Sequence, residues 1–192
     1  MKKILFDDRF GLTQAVLEGR KTMTRRIVSE KLMERAHDYM NSVHGTGADM
    51  YDYLLYYSPH KAFEVVAVAQ SYKELLEECG RASVSPLVAK AGYMNKMFVR
   101  AELMSHQIRI ISVHVERLKD ISDEDCFREG IYRKTCCPPG DINYFYHSEP
   151  KSKYEVYPTP RAAFAGLIDK VSGKGTWARN PWVFVYEFEL VR

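Results

Sequence analysis

Residues 19–26, with the sequence GRKTMTRR, concentrate side chains that can bind or activate a polar ligand. These eight residues carry four cationic side chains and two hydroxyl groups, and they directly follow a short apolar run that predicts a helix. Cations bind anionic or carbonyl groups, and a hydroxyl becomes a nucleophile when a base lies within hydrogen-bond reach. The stretch therefore predicts a ligand-binding segment, with a solvated basic strand as the alternative.

The spacing within this segment restricts which of its side chains can meet. Residues 21–28 have the pattern of an extended strand, and strict alternation places Lys21 and Thr24 on opposite faces. The two side chains meet only if the chain turns or bulges at the entry to the strand.

A carboxylate far along the chain occupies an unfavourable position. Residues 121–130 predict a short helix that is capped by Ser122 and ends at Gly130. Glu129 then lies in the last turn, where the negative pole of the helix costs it roughly a few tenths of a kcal/mol. Its placement calls for an explanation outside the helix.

The cysteines and histidines do not predict a metal site. The chain has four cysteines, at positions 79, 126, 136 and 137, with neither a C-x-x-C spacing nor a nearby histidine pair. His114 has no second histidine at a ligand spacing, and the loop GKG at 173–175 lacks the flanking residues of a phosphate-binding loop. We expect neither a metal nor a cofactor.

Length and composition predict one domain over residues 1–192, since 192 residues of 46% hydrophobic content suffice for one sizeable core. The net charge of +3, from 28 basic and 25 acidic residues, does not by itself argue for nucleic acid. Apolar runs are too short to span a membrane, and the charged start MKKILFDD is unlike a secretory signal. We expect a cytoplasmic protein with no membrane partner.

Hydrophobic periodicity predicts the elements that must position these side chains. Strands are expected at residues 4–6, 21–28, 63–69, 96–103, 107–118 and 182–190, and helices at 12–17, 32–40, 71–80, 122–129 and 159–171. The tyrosine-rich residues 51–57 predict a half-buried strand, with stacking on a base as the alternative. Residues 29–62 and 132–158 are predicted insertions. The order of elements favours an α+β domain around a small, bent, mostly antiparallel β-barrel with short flanking helices.

Four segments together resemble the activating signal cointegrator homology (ASCH) family, and particularly its bacterial and phage-associated branch. They are residues 17–26 (LEGRKTMTRR), 63–72, 115–131 (with VERLKDISDED and EGI) and 164–188 (with NPW). They span the chain from end to end and leave residues 29–62 and 132–158 as additions. The resemblance implies the PUA-like β-barrel fold of that family.

One branch of the family, the small bacterial N4-acetylcytidine amidohydrolases, uses a lysine and a threonine of a G-x-K-T-x-T motif and a glutamate from a later helix. Placed residue by residue, the resemblance implies Lys21, Thr24 and Glu129 as catalytic residues. It predicts hydrolysis of a small acylated nucleoside such as N4-acetylcytidine, with Thr24 as nucleophile and Lys21 as its base. Glu129 would orient the lysine or protonate the leaving amine.

Three further residues, Arg25, Arg26 and Gln70, are candidate substrate contacts. Gln70 follows Ala69 where many family members have arginine and glutamate, which puts acid or base chemistry at that position in doubt. The alternative prediction is a module that binds RNA or a modified nucleoside without catalysis, with both arginines on phosphates and tyrosines stacked on bases. The expected partner is a small nucleoside-like ligand or RNA.

Overall fold

A computed structural model describes residues 1–80, 91–135, 142–146 and 156–191. Its strands are β1 Lys3–Ile4, β2 Met23–Ile27, β3 Val65–Val68, β4 Gln107–Arg117, β5 Tyr132–Thr135, β6 Ile142–Phe145 and β7 Trp182–Val191. Its α-helices are α1 Leu12–Leu17, α2 Glu30–Val43, α3 Gly47–Tyr56, α4 Tyr72–Glu78, α5 Asp123–Arg128, α6 Pro160–Ser172 and α7 Thr176–Arg179. Short 3₁₀ helices cover Asp8–Phe10, Lys96–Phe98, Ala101–Leu103 and Leu118–Asp120.

Five strands form one sheet in the order β1-β3-β4-β7-β2. β1 pairs parallel with β3, and the remaining neighbours pair antiparallel. The long β4–β7 ladder carries an irregularity between Ile110 and Ser112, which bends the sheet. β5 and β6 form a separate antiparallel pair. The predicted α+β class is therefore confirmed.

The described strands form an open sheet and do not close into the predicted barrel. β1 and β2 are its two edges, and no backbone ladder joins them in the described residues. Instead, the Arg26 side chain on β2 donates a hydrogen bond to the carbonyl of Leu5, just after β1. This hydrogen bond links the two edges, and β1 is only two residues long.

The core lies between the sheet and helices α1, α5 and α6. Its buried side chains include Val16, Ile110, Leu118, Phe164 and Tyr186. Helices α2 and α3 belong to the same core, because Ala36 and Leu54 are completely buried within it. The predicted insertion at 29–62 therefore packs against the rest of the molecule, and the hydroxyls of Ser58 and Tyr186 hydrogen-bond at 2.9 Å.

The predicted strand at residues 51–57 is wrong, because these residues belong to helix α3. The Asp49 carboxylate accepts a hydrogen bond from the backbone N–H of Thr46 (2.6 Å), which fixes the start of the helix. Tyr53 and Leu54 then face inward on one stripe while Tyr56 points to solvent. The aromatic content favours a strand, but the spacing of the buried residues is helical.

The predicted strand at residues 96–103 is also wrong, since this segment forms two 3₁₀ helices. Met97 and Phe98 are adjacent and both about two-thirds exposed (66% and 64%), which breaks the alternation of a strand. The Lys3 ammonium donates to the carbonyls of Lys96, Met97 and Val99 at 2.7–2.9 Å. These carbonyls converge on one cation and do not enter a ladder.

Several predicted elements are confirmed. Helices α1, α5 and α6 and strands β4 and β7 lie within a residue or two of their predicted bounds, and the Ser71–Glu74 capping box opens α4. Residues 136–141 and 147–155, which carry two of the cysteines and most of the second predicted insertion, lie outside the described residues. In the described part of the chain, no helix is both long and apolar enough to cross a bilayer.

Candidate functional site

Lys21 lies at the turn between α1 and β2, beside the end of α5. Gly19 adopts a left-handed conformation (φ 71°) that ends α1. The Lys21 N–H then donates to the carbonyl of Ala15, and the Thr22 N–H donates to that of Arg128, both at 2.9 Å. The turn is thus tied to two helices at once, and the Lys21 side chain is only 2% exposed.

Lys21 forms a buried ion pair with Glu129. Its ammonium lies 2.5 Å from Oε2 of the carboxylate and 2.8 Å from the backbone carbonyl of the same residue. Glu129 is the C-cap of α5, where carbonyls lack partners and negative charge is disfavoured. The lysine therefore compensates both groups, which explains the unfavourable position of Glu129.

Thr24 lies on β2 opposite Tyr186 of β7, and its side chain is buried. No hydrogen bond links its hydroxyl to any described residue. β2 starts only at Met23, so the chain is still turning at Lys21 and does not alternate strictly. Thr24, Lys21 and Glu129 consequently line the same cavity.

This cavity has a polar floor and an apolar wall. Its volume open to water is about 120 Å³, room for about four water molecules. The polar part comes from Asp7, Ser172, Glu129 and the residues of the turn and of β2. The apolar wall comes mainly from helix α6, with Phe164, Leu167, Ile168 and Val171. Ile27, Val171 and Ser172 are the exposed residues of the lining, which places the opening of the cavity beside them.

The surroundings of Lys21 lower the pKa of its ammonium. Burial is the largest cause, the charge and hydrogen bond of Glu129 act in the opposite direction, and Arg26 and Arg25 lower the pKa further. Arg20, the neighbour of Lys21 in sequence, instead pairs with Glu18 at 2.6 Å. Lys21 therefore loses its proton more readily than an exposed lysine does.

Arg25 is enclosed by three carboxylates. Its Nε lies 2.7 Å from Glu116, its Nη2 3.0 Å from Asp125 and its Nη1 3.2 Å from Glu129, and the side chain has no exposed surface. Burial opposes the charge, but the carboxylates outweigh it and raise the pKa of the guanidinium. Each of its three nitrogens already has a protein partner, so Arg25 offers no free face to a ligand.

Arg26 lines the cavity, and one of its nitrogens lacks a hydrogen-bond partner in the described residues. Its Nη2 donates to the carbonyl of Leu5, and its guanidinium lies 5.5 Å from the ring centre of Phe6. Burial lowers the pKa of Arg26, with Glu129 and Tyr186 opposing. Its Nε is buried without a hydrogen-bond partner in the described part of the chain. A buried N–H left unpaired costs about 1–3 kcal/mol.

Gln70 lies away from this cavity. Its amide donates to Glu78 at 2.6 Å and accepts from the backbone N–H of Ser105 at 2.9 Å. It lines a separate depression between α1 and α4, together with Glu74 and Glu78. The structure therefore brings Lys21, Thr24, Arg25, Arg26 and Glu129 together and leaves Gln70 apart.

Sequence reasoning missed the outer carboxylates and the apolar wall. Glu116 and Asp125 are ordinary charged residues in the sequence, 91 and 100 positions from Arg25. The apolar stripe of α6 is visible as a helical period, but nothing in the period shows that it covers a cavity.

Metal ligation has no candidate cluster in the described residues, where no group of three or more His, Cys, Asp or Glu side chains could hold an ion. Cys126 is close to Arg25, but burial and then Asp123 raise the pKa of its thiol to about 12. This thiol stays protonated at neutral pH and is a poor ligand or nucleophile.

Comparison of the chain with protein-family models, with curated proteins and with solved structures gives no match. The ASCH resemblance therefore stays a prediction, carried by the motifs alone.

Proposed function

We propose that this cavity hydrolyses the amide of a small acylated nucleoside, with N4-acetylcytidine as the first candidate. The observation that supports the proposal is the convergence of a buried hydroxyl, a lysine of lowered pKa and a carboxylate on one cavity. These groups match the needs of a threonine nucleophile, its base and an acid for the leaving amine.

The Lys21–Glu129 pair supplies both the base and the acid. Transfer of one proton along the 2.5 Å contact gives a neutral amine and a neutral carboxylic acid. The amine takes the Thr24 proton as the hydroxyl oxygen attacks the acyl carbon, and the carbonyl electrons move onto the oxygen. Glu129 then protonates the departing amine, the C–N bond breaks, and an ester on Thr24 remains.

Water then hydrolyses the ester on Thr24, with the acid and base roles of Lys21 and Glu129 exchanged. The Glu129 carboxylate removes a proton from water as its oxygen attacks the ester carbon, and the Lys21 ammonium returns a proton to the departing Thr24 oxygen. The products are a carboxylic acid and free Thr24, and one proton returns from Glu129 to Lys21. Arg26 also lines the cavity, and its guanidinium is the candidate to stabilise the oxyanion in both halves.

The size of the cavity limits which part of the substrate enters. About 120 Å³ accommodates an acyl group and its amide, so the base and ribose would lie across the mouth between Ile27 and Val171. The apolar wall suits the methyl of an acetyl group. We therefore propose a short acyl chain on a planar leaving amine.

The proposal extends to the family and its fold. The G-x-K-T-x-T motif forms the turn between α1 and β2, and Glu129 caps the helix that the family resemblance assigns to it. A PUA-like arrangement is supported by the curved, mostly antiparallel sheet whose edges meet through Arg26.

Incubation of the purified protein with a panel of N4-acylated cytidines and N6-acylated adenosines, read by mass spectrometry, tests this function. Wild type should release the free nucleoside from at least one member. Thr24→Val keeps the shape of the side chain and removes the hydroxyl, so turnover should fall by about a thousandfold or more. Absence of turnover with every member, or a Thr24→Val variant of undiminished rate, would contradict the proposal.

The alternative proposal, a module that binds RNA or a modified nucleoside, is resolved by the same panel. Binding measured by calorimetry without any turnover would favour it. The enclosure of Arg25 weighs against one of its premises, since that guanidinium has no free face for a phosphate.

A further inference from the structure

Arg25 connects the Lys21–Glu129 pair to two carboxylates on other elements. It projects from β2, Glu116 lies on β4, and Asp125 and Glu129 belong to α5 and its C-cap. β7 separates β2 from β4, so Arg25 reaches across an entire strand to Glu116. Such a fork, with each nitrogen on a different carboxylate, suits a guanidinium and no other side chain.

The fork fixes the orientation of the Glu129 carboxylate. Nη1 of Arg25 lies 3.2 Å from Oε1 of Glu129, and the Lys21 ammonium lies 2.5 Å from Oε2 of the same carboxylate. Without Arg25, either oxygen of Glu129 is free to turn towards the lysine. The geometry that lets one proton pass between Lys21 and Glu129 therefore depends on a third residue.

We propose that Arg25 is a positioning residue for the Lys21–Glu129 pair, acting on the reaction through Glu129 and the local charge without touching the substrate. This inference rests on the proposed function, because the pair it positions is the one that the hydrolysis would use. Its expected contribution is twofold: it orients Glu129, and its charge disfavours a second cation at Lys21.

Every charged group packed against the pair enters this balance. Lys21 faces Glu129, Arg26 and Arg25. Arg25 itself faces its three carboxylates and the sulfur of Met23. Farther out, His114 lies 3.5 Å from Glu116, and Arg128 lies 3.4 Å from Asp125. Arg25 and Arg26 are the two cations whose charge favours the neutral amine of Lys21. Both residues line the cavity, but the Arg25 side chain has no exposed surface and is fully paired, so Arg25 is the one to vary.

Two substitutions separate charge from geometry. In Arg25→Gln the like charge is lost, so Lys21 should hold its proton more tightly and the falling limb of kcat/KM against pH should move to higher pH by about one unit. In Arg25→Lys the charge stays, so the limb should remain near that of wild type. A single ammonium cannot hold three carboxylates in place, so kcat should fall by about tenfold.

Arg20→Gln is the matched control. Arg20 is the neighbour of Lys21 in sequence, but it pairs with Glu18 and stacks over Tyr132 at 4.3 Å. Replacement of Arg20 should change neither the position of the limb of kcat/KM against pH nor kcat. If Arg25 merely clamps α5 to the sheet, both Arg25 variants lose thermal stability while the limb stays in place, and that result would overturn the inference. A folded Arg25→Lys variant of wild-type kcat would overturn it as well.

A second measurement does not depend on turnover. If no acylated nucleoside is hydrolysed, the proposed function fails, but the titration of Lys21 can still be followed by NMR of protein labelled with ¹³C-lysine. The signal is assigned by its loss in Lys21→Met. The midpoint should be higher in Arg25→Gln than in wild type, and equal midpoints would contradict the charge effect of Arg25.

Discussion

Lys21 has two tasks that pull its charge in opposite directions. As the partner of a helix end and of a carboxylate it is best protonated, while as the base for Thr24 it must be neutral. Burial and two neighbouring arginines lower its pKa, and Glu129 opposes them. A group in such balance changes its protonation at little cost, which suits acid–base chemistry.

The pH dependence of the proposed reaction follows from the lowered pKa of Lys21. The reacting pair needs one proton, which Lys21 passes to Glu129 before the attack. As the pH rises past the lowered pKa of Lys21 this proton is lost and Glu129 cannot protonate the leaving amine, so kcat/KM should fall along a limb centred below the ordinary lysine value of 10.5. Lys21→Met should remove the limb and cost at least about a hundredfold in rate. Steady-state rates over a pH series check both. A limb that persists in Lys21→Met would assign it to another group.

The catalytic candidates could be predicted from the sequence because they belong to short motifs. Lys21 and Thr24 lie in one stretch, and Glu129 stands out by its place at a helix end. The partners of Arg25 could not be predicted, since they come from β4 and α5 and become neighbours only when the sheet and helix pack. For the same reason, Gln70 looked like a site residue although its strand ends at another depression.

At the scale of elements, the turn after α5 decides where Glu129 points. Gly130 has φ 102°, a backbone conformation that side chains rarely adopt, and a Cβ at this position would lie 3.8 Å from the Cβ of Lys21. The chain thus needs glycine directly after the carboxylate.

Gly130→Ala should therefore lower stability by about 1–2 kcal/mol and reduce turnover, since relief of the strain displaces Glu129. Urea denaturation and the nucleoside assay measure the two effects. Gly47→Ala in α3 is the control, because that glycine has open space and no unusual φ. It should be neutral or stabilising by up to about 1 kcal/mol. Equal effects at both sites would show that the conformation of Gly130 is unimportant.

Helix α6 should set the size of the acyl group. Val171 lies at the mouth of the cavity and is 38% exposed, so a larger side chain there disturbs little of the core. Val171→Phe should raise KM by about tenfold or more for long acyl chains and less for acetyl. Val43→Phe, an equal change at a valine of 47% exposure on α2, should leave KM unchanged. Kinetics with acetyl, butyryl and hexanoyl cytidine measure the difference, and identical chain-length profiles would exclude α6 as the wall.

The sequence predicts correctly the elements that have a clear hydrophobic periodicity and capping residues. It fails where the local propensity of the residues disagrees with their packing. α6 and α4 were predicted from their apolar stripe and capping residues. α3 was missed because its tyrosines favour a strand while their spacing follows a helix. The segment around residue 97 was missed because Lys3, far away in sequence, gathers its carbonyls.

For the whole molecule, closure of the sheet was the feature least accessible to sequence reasoning. A strand count and alternation predict an antiparallel β-structure, but they do not show whether the two edge strands meet. Here the two edges approach, and Arg26 bridges them with a side chain that also lines the cavity. The edge of the sheet and the candidate site are therefore the same place, and a change that opens one is expected to open the other.

Residues 29–62 either fold together with the rest of the molecule or form a separate appendage. Two adjacent leucines in α3 allow a test. Leu54 is completely buried in the common core, while Leu55 is 38% exposed. Leu54→Ala should lower the free energy of unfolding by about 2–5 kcal/mol, and Leu55→Ala should change it by no more than about 0.5 kcal/mol.

The shape of the unfolding curve shows whether α2 and α3 unfold together with the sheet or separately from it. Because Leu54 shares its core with the sheet, and Ser58 bonds to Tyr186 of β7, the loss should appear as a shift of one cooperative transition. Urea denaturation followed by both tryptophan fluorescence and circular dichroism should give coincident curves in wild type and in Leu54→Ala. A separate early transition in Leu54→Ala, with the main one unmoved, would mean that α2 and α3 unfold on their own and do not support the site.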